Sequence, residues 1–321
     1  MNRLNRLTDI FFVFVVLALV VFEYWMFAGG TLSDPIGIML FVLALAIQII
    51  VIYAALIEPR LTTFKLTKIK SKREVINNLK ILLIADLGIG TFVDDDEPKK
   101  WIEKINNSKF DLLVICGDLT DGSEVSLTQL DFLKDIKSNA PKLFVPGNHD
   151  YEIQRPLFDF KNKHLQINHE IYEKLEQKLD ELGIEVLKNK SINLTVNDKE
   201  IEIYGLDDLW VDREGYKKIN VSKTDNYKVL LCHNPDINQQ EEFVKKFDLV
   251  LCGHTHGGQV RLPILGPVLP EPIESDQRKF SKGLIEIGNP TTMFITQGLG
   301  ESGIRMRFFN PPRIDLLEVE S

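Results

Sequence analysis

The sequence predicts an α/β fold, a four-layer αββα sandwich preceded by an N-terminal transmembrane helical hairpin, and three observations carry that reading. Five short apolar runs each end where a residue of metal-ligand type begins, which is how an α/β sheet delivers side chains to one rim. Segments of helical periodicity alternate with those runs, and two long apolar runs occupy most of the first 60 residues. The 321 residues, 44% of them hydrophobic, are enough for one globular domain of about 240 residues plus a membrane element. A formal net charge of -8 argues against a general nucleic-acid binder, which usually carries a basic surface.

The N-terminal element comes first. Ile10 to Phe22 is unbroken apolar sequence, Glu23 interrupts it, and Tyr24 to Ala28 continues it. Ile36 to Ile57 is apolar except for Gly37 and Gln48, and at about 1.5 Å per residue it reaches roughly 33 Å, enough to cross a bilayer core. The alternative reading of the first run is a signal peptide, with Arg3 and Arg6 as its charged start and Ala28-Gly29-Gly30 as a cleavage region. Basic residues flank the pair (Arg3 and Arg6 before it; Arg60, Lys65, Lys68, Lys70, Lys72 and Arg73 after it), while the connection at 29–35 carries only Asp34. The positive-inside rule then places both ends in the cytoplasm, giving a multi-pass protein of the cell membrane with its globular domain facing the cytoplasm. The expected organisation is an anchor at 1–60, a basic linker at 61–78 and a globular domain at 79–321. The linker reads equally as a solvated spacer and as a stretch resting on anionic headgroups, worth about 1 kcal/mol per cation.

Within the globular domain the strand-like runs are Ile81 to Ala85, Leu112 to Cys116, Leu143 to Pro146, Val229 to Cys232 and Leu249 to Cys252. Helices are expected at about 98–107, 126–137 and 167–182, the first opened by Asp94, Asp95 and Asp96 as caps with Pro98 in its first turn. Gly283 to Ile287, Met293 to Gln297, Ile304 to Phe309 and Ile314 to Val319 read as closing strands. Two irregular segments remain, Tyr151 to Asn168 and the proline-rich Leu262 to Lys282; both follow candidate ligands and so are expected to border the site and set substrate choice. The apolar residues of the second suit either contact with lipid or ordinary loop packing.

At the ends of the runs stand Asp86, Gly117-Asp118-Leu119-Thr120-Asp121, Gly147-Asn148-His149-Asp150, Cys232-His233 and Gly253-His254-Thr255-His256. Carboxylate, amide oxygen and imidazole together suit a pair of hard or borderline divalent cations such as Mn, Fe or Zn. Four of the six histidines fall in these motifs; His164 and His169 read as surface residues. One residue separates His254 from His256, which puts both rings on one side of an extended segment. Asp121 and Asp150 read as groups that orient neighbours or cap loops. Cys116, Cys232 and Cys252 form no CxxC pair and read as small buried hydrophobes in a reducing compartment.

Through Gly147-Asn148-His149-Asp150 and Gly253-His254-Thr255-His256-Gly257-Gly258-Gln259, and through the order and spacing of the other motifs, the chain from Leu79 to Val319 resembles the calcineurin-like metallophosphoesterase family, in its membrane-anchored branch. The resemblance implies that Asp118 bridges two divalent cations, that Asn148, His233 and His254 complete the second site, and that Asp86 and His256 belong to the first. It also implies that His149 interacts with the phosphate and assists the leaving oxygen, help typically worth about 100-fold to 10,000-fold. Two such cations, about 3.5 to 4 Å apart, make water a competent nucleophile for in-line displacement at phosphorus.

The departure is at Gly88, where the family's first motif carries histidine, so the first site lacks an imidazole and is expected to bind more weakly. Purple acid phosphatases share that glycine but add a tyrosine after the second motif, where this chain has Leu119, Thr120 and Asp121. Water, or a carboxylate from Asp94, Asp95 or Asp96, is left to fill the place. The resemblance implies a hydrolase of a phosphodiester or pyrophosphate; with the anchor and the apolar loop it points to a lipid-linked substrate such as UDP-2,3-diacylglucosamine, cleaved in lipid A assembly. A phosphodiesterase of soluble nucleotides, a broad phosphatase and, because of Gly88, a non-catalytic metal-binding sensor or scaffold stay open at this level.

Overall fold

The computed structural model describes residues 3–29, 34–71, 78–90, 93, 96–153, 166–268 and 278–320, with backbone alone at 3–14. Helix α1 (Arg3–Ala28) precedes α2 (Pro35–Ile52), whose first turn is capped by Asp34: its Oδ1 accepts the amides of Ile36 and Gly37. The helix runs on through a π turn (Tyr53–Ile57) and a 3-10 turn (Glu58–Arg60). Among the described residues, Pro35–Arg60 is the one helix long and apolar enough to cross a membrane; Val15–Ala28 is a shorter apolar stretch.

The strands in chain order are β1 (Thr63–Lys70), β2 (Leu79–Ile84), β3 (Leu112–Cys116), β4 (Lys142–Val145), β5 (Glu185–Val186), β6 (Lys190–Val196) and β7 (Lys199–Gly205). They continue with β8 (Tyr227–Leu231), β9 (Leu249–Cys252), β10 (Arg261–Leu262), β11 (Gly266–Pro267), β12 (Gly283–Glu286), β13 (Thr292–Ile295) and β14 (Arg313–Glu320). Two six-stranded mixed sheets result, ordered β1-β14-β2-β3-β4-β5 and β12-β13-β9-β8-β7-β6. Strands β2 to β5 run parallel in the first sheet, and β7, β8, β9 and β13 run parallel in the second.

The near-continuous apolar runs follow from burial on both faces. Ile81, Leu83 and Val114 point inward and pack with Ile203, Val229 and Leu251 of the other sheet. Their alternates Leu82, Ile84 and Ile115 point outward onto Trp101 and Ile105 of α3 (Glu97–Asn106) and Leu175 and Leu179 of α5 (His169–Glu181). Leu230 and Val250 do the same on the far side, against Phe243 and Val244 of the short α6 (Glu241–Val244) and Phe247. Helix α4 (Glu124–Thr128) is brief and passes into a 3-10 turn at Gln129–Asp135, so the helix expected at 126–137 is split.

Three further expectations change. The stretch expected as a basic linker contains β1, which lies parallel to β14 along its whole length from Thr63 to Lys70 and buries Ile69. Lys65, Lys68 and Lys70 of β1 stand on an exposed sheet edge, where charge discourages edge-to-edge association, and Lys68 is paired with Glu320 at 2.5 Å. Residues 304–309 form no ladder strand; a single bridge joins Phe308 to Val260. The hairpin of β6 and β7 was not among the expected strands, and its turn residues Asn197 and Asp198 both take positive φ, as a two-residue hairpin turn requires. Most of Tyr151 to Asn168, including His164, and the 269–277 part of the proline-rich segment lie outside the described residues.

Candidate metal centre

The carboxyl ends of β2, β3, β4, β8 and β9 converge on one rim and carry, respectively, Asp86, Asp118, the pair Asn148 and His149, His233, and the pair His254 and His256. Asp86, Asp118, His254 and His256 all take positive φ, between 49° and 72°. Non-glycine residues adopt that conformation at a cost, and its concentration at one rim marks a site whose geometry is imposed by its surroundings. Glycines let the loops close up: a Cβ on Gly147 would lie 2.2 Å from Asp118 Oδ1, and one on Gly117 would lie 2.3 Å from His233 Nδ1.

Two groups of three ligand-type side chains form, Asp118–His233–His254 and Asp86–Asp118–His256, each with donor atoms within 4.8 Å of one another and all buried. Asp118 belongs to both. Its Oδ2 lies 3.1 Å from His233 Nε2, while its Oδ1 accepts the His149 amide at 2.8 Å. His233 donates from Nδ1 to the Cys116 carbonyl at 2.7 Å, which turns Nε2 into the site. His256 Nδ1 faces the Gly300 carbonyl at 3.3 Å, turning its Nε2 to within 3.7 Å of Asp86 Oδ1. Asn148 donates its amide NH2 to the Ile153 carbonyl, leaving Oδ1 buried with no hydrogen-bond partner. Asp86 Oδ2 is a second such orphan, while its Oδ1 accepts the His254 amide. Buried acceptors without donors are costly, and two of them among carboxylates and imidazoles fit divalent cations.

Electrostatics follow from burial and proximity. Burial pushes the Asp86 carboxyl up to about 7 against the opposing pull of His233. Burial opposes ionisation of Asp118 too, but His233, His149 and His254 together hold it well below the usual carboxylate range. Burial would lower His233, yet the Asp118 carboxylate outweighs it and raises the ring to about 10. A divalent cation would displace that proton, because only a neutral imidazole ligates. His256 is driven down to about 3 by burial and by Arg307, and so stays neutral.

The surroundings divide into expected and unforeseen parts. Asp150 orients neighbours, as its position suggested: it accepts the amides of Gly147, Asp118 and Thr120. Asp121 accepts the Ser123 amide at its loop. His169 is exposed at the start of α5, and all three cysteines are free and buried. Asp96 is exposed and paired with Lys99 at 2.9 Å, so it does not occupy the place left by Gly88, while Asp94 and Asp95 lie outside the described residues. A Cβ on Gly88 would meet only the Glu301 carbonyl, at 3.8 Å.

Sequence reasoning missed the segment after β13. Gly300 donates its amide to the Asp86 carbonyl and offers its own carbonyl to His256, Ser302 Oγ lies 3.4 Å from His149 Nε2, and the fully buried Arg307 guanidinium caps the carbonyls of Gly300, Gln297 and Asn310. The glycine-rich run Gly298-Leu299-Gly300-Glu301-Ser302-Gly303 was the available signal. Trp210, set edge-on to His254 with ring centroids 5.1 Å apart, carried none.

This rim belongs to a phosphoesterase fold: residues 79–258 match the profile of the calcineurin-like phosphoesterase family, and the chain is a member of it. It is 28% identical over 276 residues to the uncharacterized metallophosphoesterase YkuE of Bacillus subtilis, covering 84% of this chain and 89% of that protein. It is 31% identical over 243 residues to the phosphodiesterase YaeI of Escherichia coli, covering 75% of this chain and 82% of that one. A third relative, the uncharacterized metallophosphoesterase Cj0846 of Campylobacter jejuni, is 29% identical over 287 residues, 86% of this chain and 68% of its own length.

Proposed function

We propose that the protein is a membrane-anchored, divalent-metal-dependent phosphodiesterase. The observation that carries the reading is the pair of buried ligand groups sharing Asp118, with Asp86 Oδ2 and Asn148 Oδ1 left as orphan acceptors beside them. In this reading Asp118, Asn148, His233 and His254 hold one cation, and Asp86, Asp118 and His256 hold the other. When bound, the cations supply Lewis-acid polarisation of the phosphoryl group and activation of water. His149 binds the phosphoryl oxygens and delivers a proton to the leaving oxygen; its side chain is 24% exposed at the rim, within reach of an incoming ester. With Gly88 in the first motif, the Asp86–His256 site is the weaker of the two.

The anchor is a hairpin of α1 and α2 with both ends in the cytoplasm, supported by the apolar span at Pro35–Arg60 and by the basic flanks. A lipid-linked pyrophosphate such as UDP-2,3-diacylglucosamine is the substrate reading favoured by one further feature. The β10–β11 hairpin, just beyond His256, exposes Leu262, Ile264, Leu265 and Val268. The deciding experiment uses the full-length protein in detergent micelles with an aryl phosphodiester and increasing Mn. Metal-dependent turnover that Asn148→Ala abolishes supports the enzyme; no turnover at any Mn level favours a non-catalytic metal-binding scaffold. Cleavage of simple phosphodiesters without cleavage of UDP-2,3-diacylglucosamine in the same micelles removes the lipid reading and leaves a soluble-nucleotide or broad phosphoesterase.

A further inference from the structure

The C-terminal end of the helix that starts at Pro35 is bonded to a loop that borders the candidate metal centre. In the π register of Tyr53–Ile57 the Glu58 amide bonds to the Tyr53 carbonyl, so the donor due to the Ala54 carbonyl is residue 59, a proline with no N–H. That carbonyl is therefore free, and it accepts the Arg307 amide at 2.8 Å. One residue before the proline, the Glu58 carboxylate is 2% exposed and spends both oxygens on backbone amides of the same loop, Phe309 on one and Asn310 on the other.

Those contacts fix the outer side of a loop whose inner side touches the centre. The Asn310 side chain donates to the His256 carbonyl at 2.7 Å, and Arg307 holds the Gly300 carbonyl that faces His256 Nδ1. Gly300 in turn donates its amide to the carbonyl of Asp86. The links from Asn310 and Arg307 inward are hydrogen bonds between buried groups, so a shift at Asn310 is passed on to them, whereas the Phe309 bond at the outer end is only part-buried.

We propose that Glu58 is a positioning residue for the Asp86–His256 metal site, which makes the base of the apolar helix part of the catalytic architecture as well as an anchor. The inference rests on the reading of Asp86 and His256 as ligands to one cation. Partners bonded directly to a ligand typically change metal affinity by about 10-fold to 100-fold; Glu58 acts one residue further out, through Asn310, so an effect at the lower end of that range is expected.

The test titrates metal-free, full-length protein in micelles with Mn(II), followed by electron paramagnetic resonance. Wild type, Glu58→Ala and Glu58→Gln are compared, with kcat, KM and thermal unfolding measured on each. In Glu58→Ala one of two Mn(II) sites weakens by about tenfold or more while the other is unchanged, and kcat falls with KM held. Glu58→Gln, which keeps one acceptor oxygen, falls between. A lower melting temperature with Mn(II) binding and kcat unchanged overturns the proposal and leaves Glu58 a purely structural contact. Should Glu58→Ala fail to fold, Glu58→Gln decides alone, and wild-type Mn(II) binding in it overturns the proposal. Absence of Mn(II) binding in the wild type itself overturns the reading of the metal site, and this inference with it.

Discussion

The loops after β3 and β4 are joined at a single acceptor, the Asp150 carboxylate. It takes the amides of Gly147 and Asp118 at 2.9 Å each and that of Thr120 at 3.0 Å. Removing it strands three buried N–H groups, each worth about 1 to 3 kcal/mol when left unpaired. Asp150→Ala is therefore expected to lower the unfolding free energy of the metal-free protein by at least about 3 kcal/mol in a denaturant titration. His149→Ala works on the reaction instead: kcat falls by about 100-fold to 10,000-fold while Mn(II) binding stays at the wild-type level. A third residue reports through pH. Glu301 carries a buried Oε1 with no partner, and burial pushes its carboxyl up to about 7, opposed by Arg307. Between about pH 4.5 and 7 the folded protein thus holds a proton that the unfolded chain has released, so this group makes stability fall as pH rises through that window. Glu301→Gln is expected to flatten that part of the profile and to raise the melting temperature at pH 8. An unchanged difference between pH 5 and pH 8 would refute it.

At the scale of elements, legibility tracked burial and side-chain chemistry. The central strands were readable because both faces are covered, which forces continuous apolar runs, and each run stops at a polar residue the rim requires. Strand β1 was hidden because an edge strand buries little: Ile69 is its one buried side chain, and its lysines imitate a linker. The loop after β13 was hidden for a different reason: much of its contact with the site runs through the carbonyls of Gln297 and Gly300, which residue type does not report, and only its run of glycines marked it. The consequence for β1 is testable. A protein beginning near residue 74 uncovers β14, whose ladder partners on that side run from Thr63 to Lys70, and it also loses the bond from Trp101 Nε1 to Thr62 Oγ1 at 3.0 Å. Such a protein is expected to self-associate in light scattering through the bare edge, whereas one beginning near residue 61 stays monodisperse.

At the scale of the whole molecule the apolar helix and the rim are joined by hydrogen bonds. In the last turns of the Pro35–Arg60 helix, Ala54 and Glu58 are both bonded to the loop that carries Arg307 and Asn310, and Tyr53 lies edge-on to Phe308. Phe308 in turn bridges to Val260 at the foot of the β10–β11 hairpin, whose apolar tip is exposed. Span, hairpin and metal centre are therefore consecutive along one stretch of structure, and a bilayer holding the span would sit close to the hairpin. This separates two roles that a simple anchor would merge. A protein beginning near residue 50 keeps Ala54 and Glu58 but loses most of the span, so it should become extractable without detergent and still turn over a soluble aryl phosphodiester at close to the full-length rate. If the span is the proposed anchor, the same protein should lose most of its rate against a lipid-linked pyrophosphate presented in vesicles, because the substrate would stay in the membrane without it. Equal loss on both substrates would place the effect in the active site; equal retention on both would mean that access to a membrane-held substrate does not depend on the span.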